Sequence, residues 1–314
     1  MNGYEVGFWR HEPVADQEAL VLAQATLRFH EAVGGDWVKL TPAGTFQATS
    51  LGLVDEWAGD SLGRRRIVHR PVNGTADWAA LAGRAAQTGL GAQEWVSADA
   101  ASWLKARLPV PLLATVFSTL TQAVQLAGAE QVAACAQSNP DVLAACLQAL
   151  GQRNLALVQA LGEAGVDGVY YVSQHHEAHL WQQDMSRWLG WCFDAPAMGA
   201  CPDRGWNVVH FHGRCDPGSL PVVSGVSTGW SVHGEGGVGA DGSLGVGWLT
   251  LAPEVLASAA DEASRLAVLH QAMAGRRGGR WRLGADCVLP LGFDLGQARR
   301  WVEAVRTLPP APQR

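Results

Sequence analysis

The sequence has no apolar run near the ~18 residues that a membrane-crossing helix needs, so a membrane span is not expected. Its opening stretch carries Glu5, Arg10 and Glu12 and no apolar signal core, so secretion is not expected either. Basic charge is scarce: 23 Lys and Arg stand against 29 Asp and Glu, a net charge of -6, and the only basic knot is Arg64-Arg65-Arg66. Without a basic stripe, nucleic acid is excluded as a partner. The six cysteines show no regular spacing, which argues against a disulfide framework. Neither a Gly-x-x-x-x-Gly-Lys-Ser/Thr loop nor a strand-Gly-x-Gly-x-x-Gly-helix unit with an acid beyond is present, so no ATP or NAD site is assigned. There is also no internal repeat and no linker. The expectation is a soluble, reduced, cytoplasmic protein forming one domain over residues 1–314, with a frayed tail at Pro309–Arg314.

What is present is apolar. The chain has 314 residues, 48% of them hydrophobic, enough for a large core. Fourteen tryptophans is a high count, and filling the core is the plainer use for them than lining a cleft. Short runs rich in Val, Leu and aromatics read as buried parallel strands. Eight are expected: Val6–Arg10, Trp37–Pro42, Leu112–Thr119, Asp167–Gln174, Trp206–Gly213, Leu220–Ser227, the Gly-rich Ser243–Trp248, and Arg280–Cys287. Helices are expected at Gln17–Val33, Pro140–Ala164, Pro253–Met273 and Leu295–Leu308; the second is introduced by Ser138-Asn139-Pro140, a capping signal. Residues 43–110 hold no clear strand and read as an excursion of short helices and loops. Eight strands alternating with helices predict an α/β fold of the (β/α)8 TIM-barrel type.

In such a barrel the active site lies at the C-terminal ends of the strands. Those ends carry Trp9-Arg10-His11, then Tyr170-Tyr171-Val172-Ser173-Gln174-His175, then His210-Phe211-His212, then Asp286-Cys287. His210 and His212 are one residue apart, so on a strand both imidazoles face the same side. With a thiolate from Cys287 they would suit zinc and leave a fourth position open. The alternative is that both histidines hydrogen-bond to carboxylates or substrate with no metal. The run from His175 through His179 is one residue short of His-Glu-x-x-His, so it reads as a substrate-binding or solvated loop. Glu235, in a Gly-rich loop, is a candidate extra ligand or base, or simply a loop residue. Arg10, if buried, needs an anion, supplied by a substrate carboxylate or by a neighbouring acid in an ion pair. Cys215 reads as a loop bystander.

The segments Val6–His11, Trp37–Gly44, Ala114–Ala123, Asp167–Tyr171, His210–Gly213 and Asp286–Pro290 resemble, in order and spacing, the uroporphyrinogen decarboxylase superfamily from residue 6 to about 307. The resemblance implies the barrel and two chemistries. Uroporphyrinogen decarboxylases remove acetate carboxyls without metal, using an arginine-rich loop, an Asp, a Tyr, a Ser and a late His. Here Arg10 matches the first arginine, but His11-Glu12-Pro13-Val14 replaces the signature that should follow. No acid stands at Thr41-Pro42, and Cys287 stands for the late His. Zinc-dependent cobalamin and coenzyme M methyltransferases use His-x-Cys and a later Cys. His210 and Cys287 match those ligands, and His212 stands at the Cys position.

The resemblance therefore implies a zinc enzyme akin to the methyltransferases, acting on a small thiol or carboxylate substrate. His210, His212 and Cys287 would be the ligands, and Arg10, His11, Tyr170, Tyr171 and Glu235 the catalytic groups. Trp9, Phe117, Ser118, Ser173, Gln174 and His175 would contact substrate. A corrinoid methyl donor on a partner protein, and a homodimer, are the partners it implies. Two alternatives stay open: a metal-free uroporphyrinogen decarboxylase, and a non-catalytic corrinoid- or tetrapyrrole-binding protein.

Overall fold

A computed structural model describes residues 3–175, 192–202, 204–212, 230–234, 246–274 and 280–309. Among these, eight strands run parallel in two ladders. One has the order Val38–Leu40 (β2), Leu112–Phe117 (β5), Gly168–Ser173 (β6), Asn207–Phe211 (β7) and Trp230–Gly234 (β8). The other has the order Tyr4–Val6 (β1), Arg280–Ala285 (β10) and Val246–Leu251 (β9). The ladders meet beyond β1, where the Asp36 amide donates to the Val6 carbonyl at 2.7 Å and the Asp36 carboxylate accepts from the Val6 amide at 2.9 Å. The architecture is TIM-barrel-like. Every residue of β5, β6 and β7 is buried, as expected for strands covered on both faces.

Local signals set the helices. Ser118 caps the helix Thr119–Ala127 (α5) by accepting from the Thr121 amide at 3.2 Å. Pro140 opens the 24-residue helix Pro140–Glu163 (α7), where the missing N–H of proline costs nothing. The helix expected over 253–273 is two: Pro253–Ser258 (α9) and Glu262–Met273 (α10). Asp261 explains the break. Its carboxylate accepts from the Ser264 amide at 2.8 Å, so it starts a new helix rather than continuing the old one.

One strand expectation needs correction. Residues 43–110 do contain strands, the antiparallel pair Val54–Glu56 (β3) and Arg66–His69 (β4). They are mostly exposed and charged, so no apolar alternation reveals them. The expected strand Leu220–Ser227 lies outside the described residues, and the strand paired to β7 is Trp230–Gly234. The seventh strand is Val246–Leu251, and the expected opening at residues 243–245 lies outside the described residues.

Tryptophans fill the barrel. Trp9, Trp37 and Trp248 form a chain of ring contacts, Trp9–Trp37 and Trp37–Trp248 both at 5.5 Å between centroids. Trp37 lies flat on Gly7, where a Cβ would fall 2.4 Å from its ring. Glycine is what lets so large a side chain enter.

Candidate metal centre and substrate pocket

Strand alternation decides which side chains face the barrel's interior. On β6 Tyr170 and Val172 line a pocket of about 450 Å³, and on β5 Thr115 and Phe117 do. Lys39 of β2, His210 of β7, and His212 just beyond it also line this pocket, joined by Trp9 and His11 after β1 and Cys287 after β10. The His212 amide donates to the Ser173 carbonyl at 3.2 Å, which carries the ladder one residue past β7 and holds His212 beside β6.

His210, His212 and Cys287 each offer one ligand atom, and the three atoms lie within 4.8 Å of one another. The Cys287 Sγ is 3.6 Å from the His212 Nε2, and the two imidazoles meet edge to face at 4.6 Å between centroids. Zinc with N and S donors at about 2.0–2.3 Å in tetrahedral angles holds its ligand atoms about 3.3–3.6 Å apart. The set therefore fits that ion with modest closure. The Tyr170 ring, 5.2 Å from His210, braces the first imidazole.

Lys39 lines the same pocket. It is 6% exposed, and its Nζ hydrogen-bonds to Thr41 Oγ1 at 3.3 Å. The Nζ lies 4.7 Å from the Tyr170 ring centroid and 5.5 Å from that of Trp9. Burial pushes its pKa down to about 7, against a smaller opposing pull from Cys287. Burial, helped by Lys39, also pushes His11 down to about 4. The mouth is lined by Arg64, Arg65 and Arg70 from the β3–β4 excursion. Arg64 pairs with Asp60 at 2.8 Å and Arg65 with Asp55 at 2.7 Å, while Arg70 reaches the Val124 carbonyl at the end of α5. No Asp or Glu lines the pocket among the described residues.

Several expected site residues lie elsewhere. Arg10 does not line the pocket: its Nε donates to Glu12 at 2.8 Å and its guanidinium lies over Phe29, the ion-pair alternative. Tyr171 alternates to the outer face of β6, where its hydroxyl donates to Asp194 at 2.5 Å and accepts from Asn154 at 2.9 Å. Ser173 shares that outer face, 3.4 Å from the Ser118 hydroxyl that caps α5. Trp9, His11, Phe117, Tyr170, Gln174 and His175 do line the pocket; His175 takes a left-handed backbone, φ 65°. Glu235, Cys215 and the cluster from His176 to His179 lie outside the described residues. Sequence reasoning passed over Lys39. Its signal was an ionisable residue inside the apolar run Trp37-Val38-Lys39-Leu40.

Residues 13–197 match the family model described as uroporphyrinogen decarboxylase (URO-D). The match stops before β7, so His210, His212 and Cys287 all fall outside it. No curated protein matches the chain. Among solved structures, a methyltransferase from Methanosarcina mazei is similar with a TM-score of 0.69 and 17% identity. The likeness covers 94% of this chain and 87% of that one. At that identity the similarity speaks to the fold.

Proposed function

The chain belongs to the uroporphyrinogen decarboxylase family, and from that premise we propose that it is a zinc-dependent enzyme whose activity resembles methyl transfer. His210, His212 and Cys287 would hold the metal, and the substrate would be a small thiol or carboxylate. The observation that carries the reading is the convergence of these three donors in a pocket that Trp9, Tyr170 and Phe117 also line. A bound zinc would supply Lewis acidity at a coordination position that these three residues leave open. Two neutral imidazoles and one thiolate give the occupied centre a net charge of +1, which favours an anionic ligand. His210 and His212 bind and orient, Tyr170 fixes the His210 ring, and Trp9 helps keep bulk water away. A corrinoid methyl donor on a partner protein, entering at the arginine-lined mouth, belongs to the same reading.

A metal-free decarboxylation of a tetrapyrrole has less support. The position after β2 where that chemistry places an acid holds Thr41 and Pro42, and no carboxylate lines the pocket among the described residues. The deciding experiment is elemental analysis of protein from zinc-supplemented growth. About one zinc per chain is expected in the wild type and far less in His212→Ala, whereas a wild type without zinc would overturn the reading.

A further inference from the structure

The chain contains only two lysines. Lys105 lies at the surface end of helix Ala92–Lys105 (α4), paired to Asp167 at 2.5 Å. Lys39 is the other, buried at the pocket floor. An ammonium taken out of water needs a counter-charge or good hydrogen bonds. Lys39 has one hydrogen bond to a hydroxyl, two aromatic faces, and no carboxylate partner among the described residues. Among the described residues Cys287 is the anion-capable group that acts on it, and in the proposed centre that thiolate is committed to the metal. The pocket's arginines do not share this deficit: Arg64 and Arg65 have their own acids, and Arg70 is bound to helix-end carbonyls.

We propose that Lys39 Nζ, with the hydroxyl of Thr41 beside it, is the docking point for a carboxylate of the substrate. A carboxylate is planar and has two oxygens, so one can take the ammonium and the other the rotatable hydroxyl 3.3 Å away. The Trp9 and Tyr170 rings flank the ammonium and favour a flat group there. His11 Nδ1, in the same pocket, is buried without a hydrogen-bond partner in the structure, so the wall holds a further polar atom for a substrate to reach. Arg10, the cation that the sequence suggested for this task, is occupied by Glu12. The inference rests on the proposed use of this pocket for a small substrate, but not on methyl transfer or on the identity of the metal.

The test uses the full chain, zinc-loaded, with propanoate as probe and propanamide as its neutral twin. A small acylating reagent labels free amines, and Lys105 serves as the internal control. Propanoate should slow labelling of Lys39 by roughly tenfold near saturation, since it covers the amine and keeps it protonated. Propanamide should not, and Lys105 should be indifferent to both. In Lys39→Met, propanoate binding measured by calorimetry should weaken by about tenfold or more. Equal protection by propanamide, equal protection by phosphate, or undiminished propanoate binding in Lys39→Met with unchanged zinc would each overturn the assignment. Zinc is measured on the same samples. A zinc-free wild type that still discriminates propanoate from propanamide defeats the metal reading and leaves the Lys39 site standing.

Discussion

The Cys287 Sγ lies 3.6 Å from the His212 Nε2, although 75 residues separate the two in the chain. Cys287 follows β10 and His212 follows β7, two strands in different ladders. A thiol and an imidazole brought this close from separate ladders are two of the three ligands of the proposed metal centre. Replacing sulfur by oxygen keeps the volume nearly constant and removes the soft donor. Cys287→Ser is therefore expected to weaken zinc retention by at least about tenfold in a chelator competition. In cobalt-substituted protein the sulfur-to-cobalt charge-transfer band should vanish with it. A variant that holds zinc as tightly as the wild type would remove Cys287 from the ligand set.

A second prediction concerns Asp194, which lies fully buried at the N-terminus of α5. It accepts from the Thr119 amide at 3.0 Å and from the Tyr171 hydroxyl at 2.5 Å. Burial outweighs these bonds and raises its pKa from 3.8 to about 6. Between those values the folded protein keeps a proton that the unfolded chain has lost. This group's contribution to stability is thus greatest at or below about pH 4, falls as pH rises to about 6, and is flat above that. The fall amounts to roughly 3 kcal/mol at two pKa units. Urea unfolding across this range should show Asp194→Asn losing that pH dependence relative to the wild type; parallel profiles would count against it.

Trp37 and Gly7 give a third. A Cβ at residue 7 would sit 2.4 Å from the Trp37 ring, which is wedged between Trp9 and Trp248. Gly7→Ala should cost about 1–3 kcal/mol in urea unfolding through overpacking. Gly83, inside helix Thr75–Gln87 (α3) with open space around it, is the control. Gly83→Ala should be neutral or stabilising by up to about 1 kcal/mol, because alanine is the better helix former. Equal effects at the two sites would show that the Trp37 contact is unimportant.

Much of this was legible beforehand. Apolar strand cores such as Leu112–Phe117 and Gly168–Ser173 announce themselves because both faces are buried. The His210–His212 pair is legible for a related reason: alternation on a strand puts both on one face. The phase of that alternation is another matter. Tyr170 and Tyr171 are equivalent in the sequence, and only packing shows Tyr170 in the pocket and Tyr171 against Asn154 and Asp194. The hairpin β3–β4 escaped because its strands are short and mostly exposed, so burial leaves no pattern in them.

The sequence by itself determined the barrel class and which residue types could bind a metal, since both follow from local periodicity and side-chain chemistry. The tertiary structure decided who meets whom. Whether a cation is compensated depends on which way the folded backbone turns the side chains around it, so Arg10 and Lys39 could not be ranked by inspection. Folding gives Arg10 the carboxylate of Glu12 and leaves Lys39 among aromatic rings beside Thr41. Likewise, no spacing rule brings Cys287 to His212; the return of the last strands to the first closes that distance. The absence of a membrane-length apolar run was readable from residue one, and among the described residues no helix is long and apolar enough to cross a membrane.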